Sequence, residues 1–383
     1  MNKLSPPQSR VIVRSSGIMA LPAEVLLVIM RLEYASLTEW TMFPSPPRRP
    51  LMHSEKIFPY SIATVCKTWD FVASMAPEFW SLVVIFLEST SLSYAEEVLL
   101  RSKDLPIEVH ILENKPLDCM DPPSSFSPQR VASRKSKMQQ LIATITPHLR
   151  RCERLVIQVV NRDLLPCLNN ITAPAPELTR LVLEAKHHEH SHVPANHHHS
   201  QPILFIPSSN LYQLAVDGVD WYPGFQSQLN FGTEFHNLTD LTISNLDLST
   251  SGRSSHDAMD EFVGTLGSAS LSVLRLARVR AGVCYRTIRS PPTQLVELRD
   301  LGFLKLADCE SHFLWSFLSH VSLPCLDTAH VVRCLVDAMP VAPGCELILE
   351  EIEAGNDLGG FLGRWEGISL TGTGHSVMTP CYP

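Results

Sequence analysis

Apolar residues recur at helical spacing in two stretches near the N-terminus. In Ala63–Ser81 (ATVCKTWDFVASMAPEFWS), Val65, Cys66, Trp69, Val72 and Ala73 fall at three- and four-residue steps, which places them on one stripe of a helix. Pro77 predicts the end of that helix before Trp80. In Leu21–Met30 (LPAEVLLVIM), Pro22 suits a first helical turn, where its missing N–H would be unpaired anyway. Glu24 then complements the helix dipole, and Val25, Leu26, Ile29 and Met30 supply an apolar face. Two short amphipathic helices packed on each other are expected, joined by an inserted loop over 41–59 whose five prolines no regular helix accommodates. Residues 1–17 are polar and read as a disordered N-terminus.

Further along, the pattern turns to strands. Ser81–Leu87 (SLVVIFL) is a short β-branched run suited to a buried strand, and Ile107–Ile111 alternates apolar with polar. Ser91–Ser102 reads as a helix with Ala95, Val98, Leu99 and Leu100 clustered, and Met138–Leu149 as another ending near Pro147. Asp118–Lys137, Pro/Ser-rich and then basic, reads as a loop. From Cys152 a repeat emerges. CERLVI, LTRLVL, LYQLAV, LTDLTI, LSVLRL and LGFLKL, starting at residues 152, 178, 211, 238, 271 and 301, share one spacing. Leu323 and Leu326 form a weaker seventh member. Leucines two apart on a strand face the same side, and Leu-x-x-Leu-x-Leu at this period resembles a leucine-rich repeat. The asparagine that usually follows is replaced by Lys186, Val219, Leu246, Val279 and Cys309, so the expected solenoid is irregular.

The N-terminal motifs carry a second resemblance. Leu-Pro-x-Glu-Val-Leu at 21–26, Val-Cys-Lys-x-Trp at 65–69 and the Pro-x-x-Trp close at 77–80 resemble an F-box of the divergent kind common in large fungal families. The resemblance covers roughly residues 20–81. It implies an adaptor-binding surface made of Leu21, Pro22, Val25, Leu26, Ile29, Val65, Cys66 and Trp69. The expected fold class is therefore an α+β or α/β solenoid: a small F-box-like helical unit over 18–81, then an irregular leucine-rich-repeat solenoid over 82–350. A His-rich loop is expected at 187–200 and a C-terminal segment at 351–383. A plainer reading of residues 20–81 is two core helices of some other helical domain.

Composition narrows the chemistry. A chain of 383 residues is longer than one ordinary domain, and 45% hydrophobic with 18% charged residues suffices for a core. A formal net charge of −8 gives no electrostatic reason to expect nucleic acid. Ten cysteines lie at wide, irregular intervals with no Cys-x-x-Cys, as reduced thiols in the cytoplasm or nucleus would. The most apolar run, Ile18–Leu32, is interrupted by Pro22, Glu24 and Arg31 and is too short to cross a membrane.

Seven histidines fall between His187 and His199, and imidazole binds transition metals. A defined site also needs ligands fixed by a supporting shell, and this stretch reads as low-complexity loop. Gly-x-Ser-x-Gly is absent, and the one His-Glu-x-x-His match, His188 to His192, falls inside this low-complexity stretch. Thr371–His375 (TGTGH) lacks a phosphate-binding lysine, and Glu350, Glu351 and Glu353 read as a solvated face. Cys66 reads as a small hydrophobe rather than a nucleophile. No catalytic, cofactor or metal site is expected. The resemblance instead implies a substrate-recognition subunit of a Skp-cullin-F-box ubiquitin ligase, with a Skp-family adaptor, through it a cullin, and a target protein as partners. A non-catalytic interaction protein with a degenerate F-box, and a metal-dependent enzyme using the histidine stretch, stay open as alternatives.

Overall fold

A computed structural model describes residues 21–41, 58–113, 128–166, 173–187, 210–218, 235–251, 255–281, 295–336, 345–350 and 353–354. The chain divides into two compact units at Trp80/Ser81. The first contains helices α1 (Ala23–Thr41), α2 (Tyr60–Ala63) and α3 (Lys67–Ser74), then a 3-10 turn, Pro77–Trp80. Its core joins Leu26 and Met30 of α1 to Trp69, Val72 and Ala73 of α3 and to Phe79 and Trp80.

The second unit begins β1 (Leu82–Phe86), α4 (Leu92–Arg101), β2 (Ile107–Leu112) and α5 (Pro128–Ile145). It continues with β3 (Cys152–Asn161), β4 (Arg180–His187), β5 (Gln213–Asp217), β6 (Asp240–Ser244), α6 (Ser255–Gly267) and β7 (Val273–Ala277). Then come β8 (Val296–Glu297), β9 (Phe303–Ala307), α7 (Ser311–His320), β10 (Val321–Ser322) and β11 (Thr328–Val332). It closes with β12 (Leu335–Val336), β13 (Glu346–Glu350) and β14 (Glu353–Ala354). Ten strands form one parallel sheet in the order β1-β2-β3-β4-β5-β6-β7-β9-β11-β13, while β8 pairs with β10 and β12 with β14.

Strand parity makes one face of the sheet the core. In one register row Val83, Val109 and Leu155 lead through Leu241, Leu274 and Leu304 to Ala329 and Leu347, all buried. Two residues on, Ile85, Ile111, Ile157, Ile243, Leu276 and Leu306 repeat the pattern. Residues of the other parity point to the opposite face, where polar Arg154, Arg180, Asp240, Arg275 and Lys305 stand around a small buried apolar cluster of Val156, Val182 and Ala215. Each strand from β6 to β11 in the large sheet ends in one left-handed residue: Asn245, Arg278, Asp308 and Arg333, with φ of 59°, 55°, 52° and 48°. Their N–H groups still bond the next strand, to Ala277, Ala307, Val332 and Glu350. The residues that follow, Leu246, Val279, Cys309 and Cys334, turn inward and are buried.

This architecture overturns the expected fold class. The chain is not a helical F-box unit followed by an irregular leucine-rich solenoid; it is dominated by a ten-stranded parallel sheet flanked by helices, an α/β arrangement. The reason is visible in two places. β1 and β2, upstream of the first Leu-x-x-Leu-x-Leu segment, join the same sheet. Several connections carry whole amphipathic helices, whose apolar sides are buried: Val98 and Leu99 of α4, Leu141 and Ile142 of α5, Phe262 of α6, and Phe313 and Phe317 of α7. Parallel neighbours need such crossovers. The expected loop over 118–137 is also corrected, because α5 starts at Pro128. Beyond His187, which ends β4, the histidine stretch lies outside the described residues, as do Glu351, Thr371–His375 and most of the C-terminal segment.

Candidate functional site

The N-terminal unit places the candidate adaptor residues on α1 and around the start of α3. The Pro22 carbonyl accepts the N–H groups of Val25 and Leu26 at 3.1 Å each, which starts α1 one residue after the proline. The inward side of α1 is Leu26 and Met30, one turn apart and buried. Tyr34, a further turn on, meets Phe58 and Phe79 at ring-centroid distances of 5.6 Å each, and those two rings meet edge-on at 5.1 Å. Offset and edge-on pairs of this kind add about 0.5–1.5 kcal/mol beyond burial. Arg31 ties the helix to the 3-10 turn, its Nη2 lying 2.9 Å from Glu78 Oε1.

On α3, Trp69, Val72 and Ala73 are buried. Trp80 Nε1 donates to the Ala73 carbonyl at 2.9 Å, so the second tryptophan caps the carbonyl end of that helix from inside the core. Cys66 stands at the N-cap without a side-chain cap bond, consistent with a packing thiol.

Turned outward, α1 carries a second apolar stripe. Val25, Val28, Ile29 and Leu32 follow the i, i+3, i+4, i+7 pattern and are 42%, 55%, 39% and 68% exposed. Val65, Phe71 and Met75 are also exposed, the last two at more than 60%. Of the eight residues picked out in the sequence, Pro22, Val25, Ile29 and Val65 are exposed, and Leu21 and Cys66 are half-buried. Leu26 and Trp69 are interior supports and offer no surface. Val28, Leu32, Phe71 and Met75 escaped the sequence reading. For the first two the signal was present, since 25, 28, 29 and 32 form a complete helical stripe.

Such a stripe can bind by burial. Side chains already half covered gain about 1 kcal/mol each on full burial, so four of them offer several kcal/mol towards the cost of association.

The sheet-bearing unit offers other chemistry to weigh. Among the described residues no group of three or more His, Cys, Asp or Glu side chains could hold a metal ion. The six described cysteines are free thiols. Burial, the largest influence, pushes the Cys152 thiol up to about 12, which keeps it protonated at neutral pH. Cys309 and Cys334 sit together at the ends of β9 and β11, where the Cys309 N–H donates to Cys334 Sγ at 3.3 Å. Among the described residues no helix is long and apolar enough to cross a membrane.

Compared with models of known protein families and with curated proteins, the chain matches none of them.

Proposed function

We propose that this chain is a target-recognition subunit of a Skp-cullin-F-box ubiquitin ligase. The N-terminal unit binds a Skp-family adaptor, and through it a cullin, while the sheet-bearing unit holds a target protein. One observation carries the reading: α1 is apolar on both sides, and only one side is used by its own unit. Leu26 and Met30 fill the core, whereas Val25, Val28, Ile29 and Leu32 face outward. An exposed stripe of that kind is normally covered by another chain, and the motifs at 21–26, 65–69 and 77–80 name an adaptor as the chain that covers it. In this role the protein performs no chemistry of its own. It raises the effective concentration of a target lysine near a ubiquitin-charged enzyme, in the cytoplasm or nucleus.

The test is calorimetry of the full chain with a purified Skp-family adaptor. Wild-type protein is expected to bind, and the double variant Val28→Asp with Leu32→Asp to lose at least tenfold in affinity. Both positions are more than half exposed, so the thermal melt of the free protein should be unchanged. A folded wild-type protein that releases no heat with the adaptor would favour a non-catalytic interaction protein with a degenerate F-box.

A further inference from the structure

Past the ends of β6, β7, β9 and β11 one residue turns inward, and its type changes along the sheet. After β6 and β7 it is Leu246 and Val279; after β9 and β11 it is Cys309 and Cys334. Strands β9 and β11 pair in register from Phe303 with Thr328 to Ala307 with Val332. The same offset places the two thiols at matching positions on neighbouring strand ends.

Several contacts hold them there. The Cys309 N–H donates to Cys334 Sγ at 3.3 Å, and the two thiols hydrogen-bond each other. One residue earlier, Arg333 forms a bidentate pair with Asp308, Nε to Oδ1 and Nη2 to Oδ2 at 2.7 Å each. The Asp308 N–H donates to the Val332 carbonyl at 2.9 Å, so the strand ladder continues up to the pair. Paired strands lie about 4.8 Å apart, within the Cα separation of about 4.4–6.8 Å that a disulfide spans. Leu246 and Val279 fill the equivalent position with hydrocarbon, so packing alone does not call for two sulfurs side by side.

We infer that Cys309 and Cys334 are an oxidative modification site, joined as a disulfide by a hydroperoxide and released by a thiol reductant. The inference is independent of the ligase reading. Both residues are buried, at 4% and 1% exposure, so reaction waits on local opening. Their place favours it: β11 lies next to β13, the strand at the sheet's edge, and edges open at lower cost than the middle of a sheet. The S–H and N–H of Cys309 both face Cys334 Sγ, which favours the thiolate on Cys334 against its burial and leaves the proton on Cys309. Cys334 is therefore the attacking sulfur. Its sulfur bonds to one peroxide oxygen as the O–O bond breaks, leaving a sulfenic acid and a hydroxide that takes a proton from solvent. The Cys309 sulfur then bonds to Cys334 Sγ, the S–O bond breaks, and the departing hydroxide takes the Cys309 proton. Two electrons pass from the sulfurs to the peroxide, giving one disulfide and two waters. The new bond closes a loop that contains α7 and ties β9 to β11 beside the edge most prone to fray. In a reducing compartment such a bond is transient, which suits a response to oxidant rather than a permanent brace.

Hydrogen peroxide titrated into the reduced full chain, followed by alkylation and trypsin digestion without reductant, tests this. No lysine or arginine stands between Lys305 and Arg333, so cleavage leaves Cys309 and Cys334 on separate peptides that only a disulfide can join. Joined peptides are expected, with fragmentation placing the bond on Cys309 and Cys334 and dithiothreitol parting them. The oxidised chain should melt a few degrees above the reduced chain. Cys309→Ala and Cys334→Ala, each compared with its own reduced form, should show no such rise. The exposed Cys325 reports that the oxidant has acted: if it is oxidised while Cys309 and Cys334 stay reduced, the inference is overturned. A bond that fragmentation places on Cys325 or Cys345 overturns it too, as does an oxidised chain that melts where the reduced chain does.

Discussion

Leu274→Ala measures how firmly the sheet's inner face holds the second unit together. Leu274 is fully buried in the middle of a register row, between Leu241 and Leu304, which are also fully buried. Along its own strand the next inward residue, Leu276, is buried as well. Removing three side-chain carbons there forfeits their transfer free energy and leaves a cavity walled by side chains on both neighbouring strands. Those strands are fixed by backbone hydrogen bonds and cannot close on the gap. The cost therefore belongs in the upper part of the range for buried leucines, about 3–5 kcal/mol, a large share of the 5–15 kcal/mol that holds a domain folded. Thr242→Ala is the matching control, because Thr242 sits on β6 beside Leu241 but on the polar face, half-exposed. It should cost no more than about 0.5 kcal/mol. Urea denaturation followed by circular dichroism, fitted for the transition of the sheet unit, gives both values. The inward assignment of this row is refuted if Leu274→Ala costs less than about 1 kcal/mol, or if the two variants are equally stable.

Two further predictions concern backbone and charge. Lys103 follows α4 with φ of 52° and an exposed side chain, so Lys103→Gly should remove the left-handed penalty and stabilise the unit by about 1 kcal/mol, seen as a melting midpoint higher by a few degrees. Glu108 and Glu113 should titrate with opposite signs. Burial raises the Glu108 carboxyl, but the His110 hydrogen bond and the charges of His110, Arg154 and Arg180 outweigh it and hold the carboxyl below the usual 4.5. Its stabilisation is therefore complete above that value and lost as pH falls through the lower folded value. Burial dominates at Glu113, raising its carboxyl despite the N–H groups of Val160 and Asn161 and the charge of Arg134. Stability then declines as pH rises from 4.5 towards the higher folded value. Stability measured against pH should lose its acid-side fall in Glu108→Gln and its decline above 4.5 in Glu113→Gln; unchanged profiles would contradict these assignments.

How far the fold was legible depends on what each residue reports. Leucines at alternate positions report a strand and the side it buries, so Leu155 with Ile157 and Leu241 with Ile243 could be recognised as inward-facing pairs from sequence alone. They do not report what lies between strands. α5 illustrates the loss. Its first turns, PQRVASRKSK, look like a basic loop, yet Arg134 there lies 2.6 Å from Glu113 and 3.0 Å from Glu88. Those partners come from the ends of β1 and β2, and no local pattern announces them. The positive-φ residues closing β6, β7, β9 and β11 were equally hidden, since arginine and aspartate carry none of glycine's signal for that conformation.

The candidate site was obscured for a different reason. A helix with apolar residues around most of its circumference gives little directional signal, because inward and outward positions look alike. In α1 the run Val25, Leu26, Leu27, Val28, Ile29, Met30 spans more than one turn without a polar residue. Read alone, it mixes core and surface, which is why Leu26 and Trp69 stood beside Val25 and Ile29 in one expected contact set. Packing separates them: once Leu26 and Met30 are buried with the rest of the unit's core, the helical step of 100° turns Val25, Val28, Ile29 and Leu32 outward. A helix that needed only its own unit would carry polar residues on that outer side. The cost of keeping four branched apolar residues in water points to a second surface that removes them from it, and the adaptor titration with Val28→Asp and Leu32→Asp addresses that surface without touching the first.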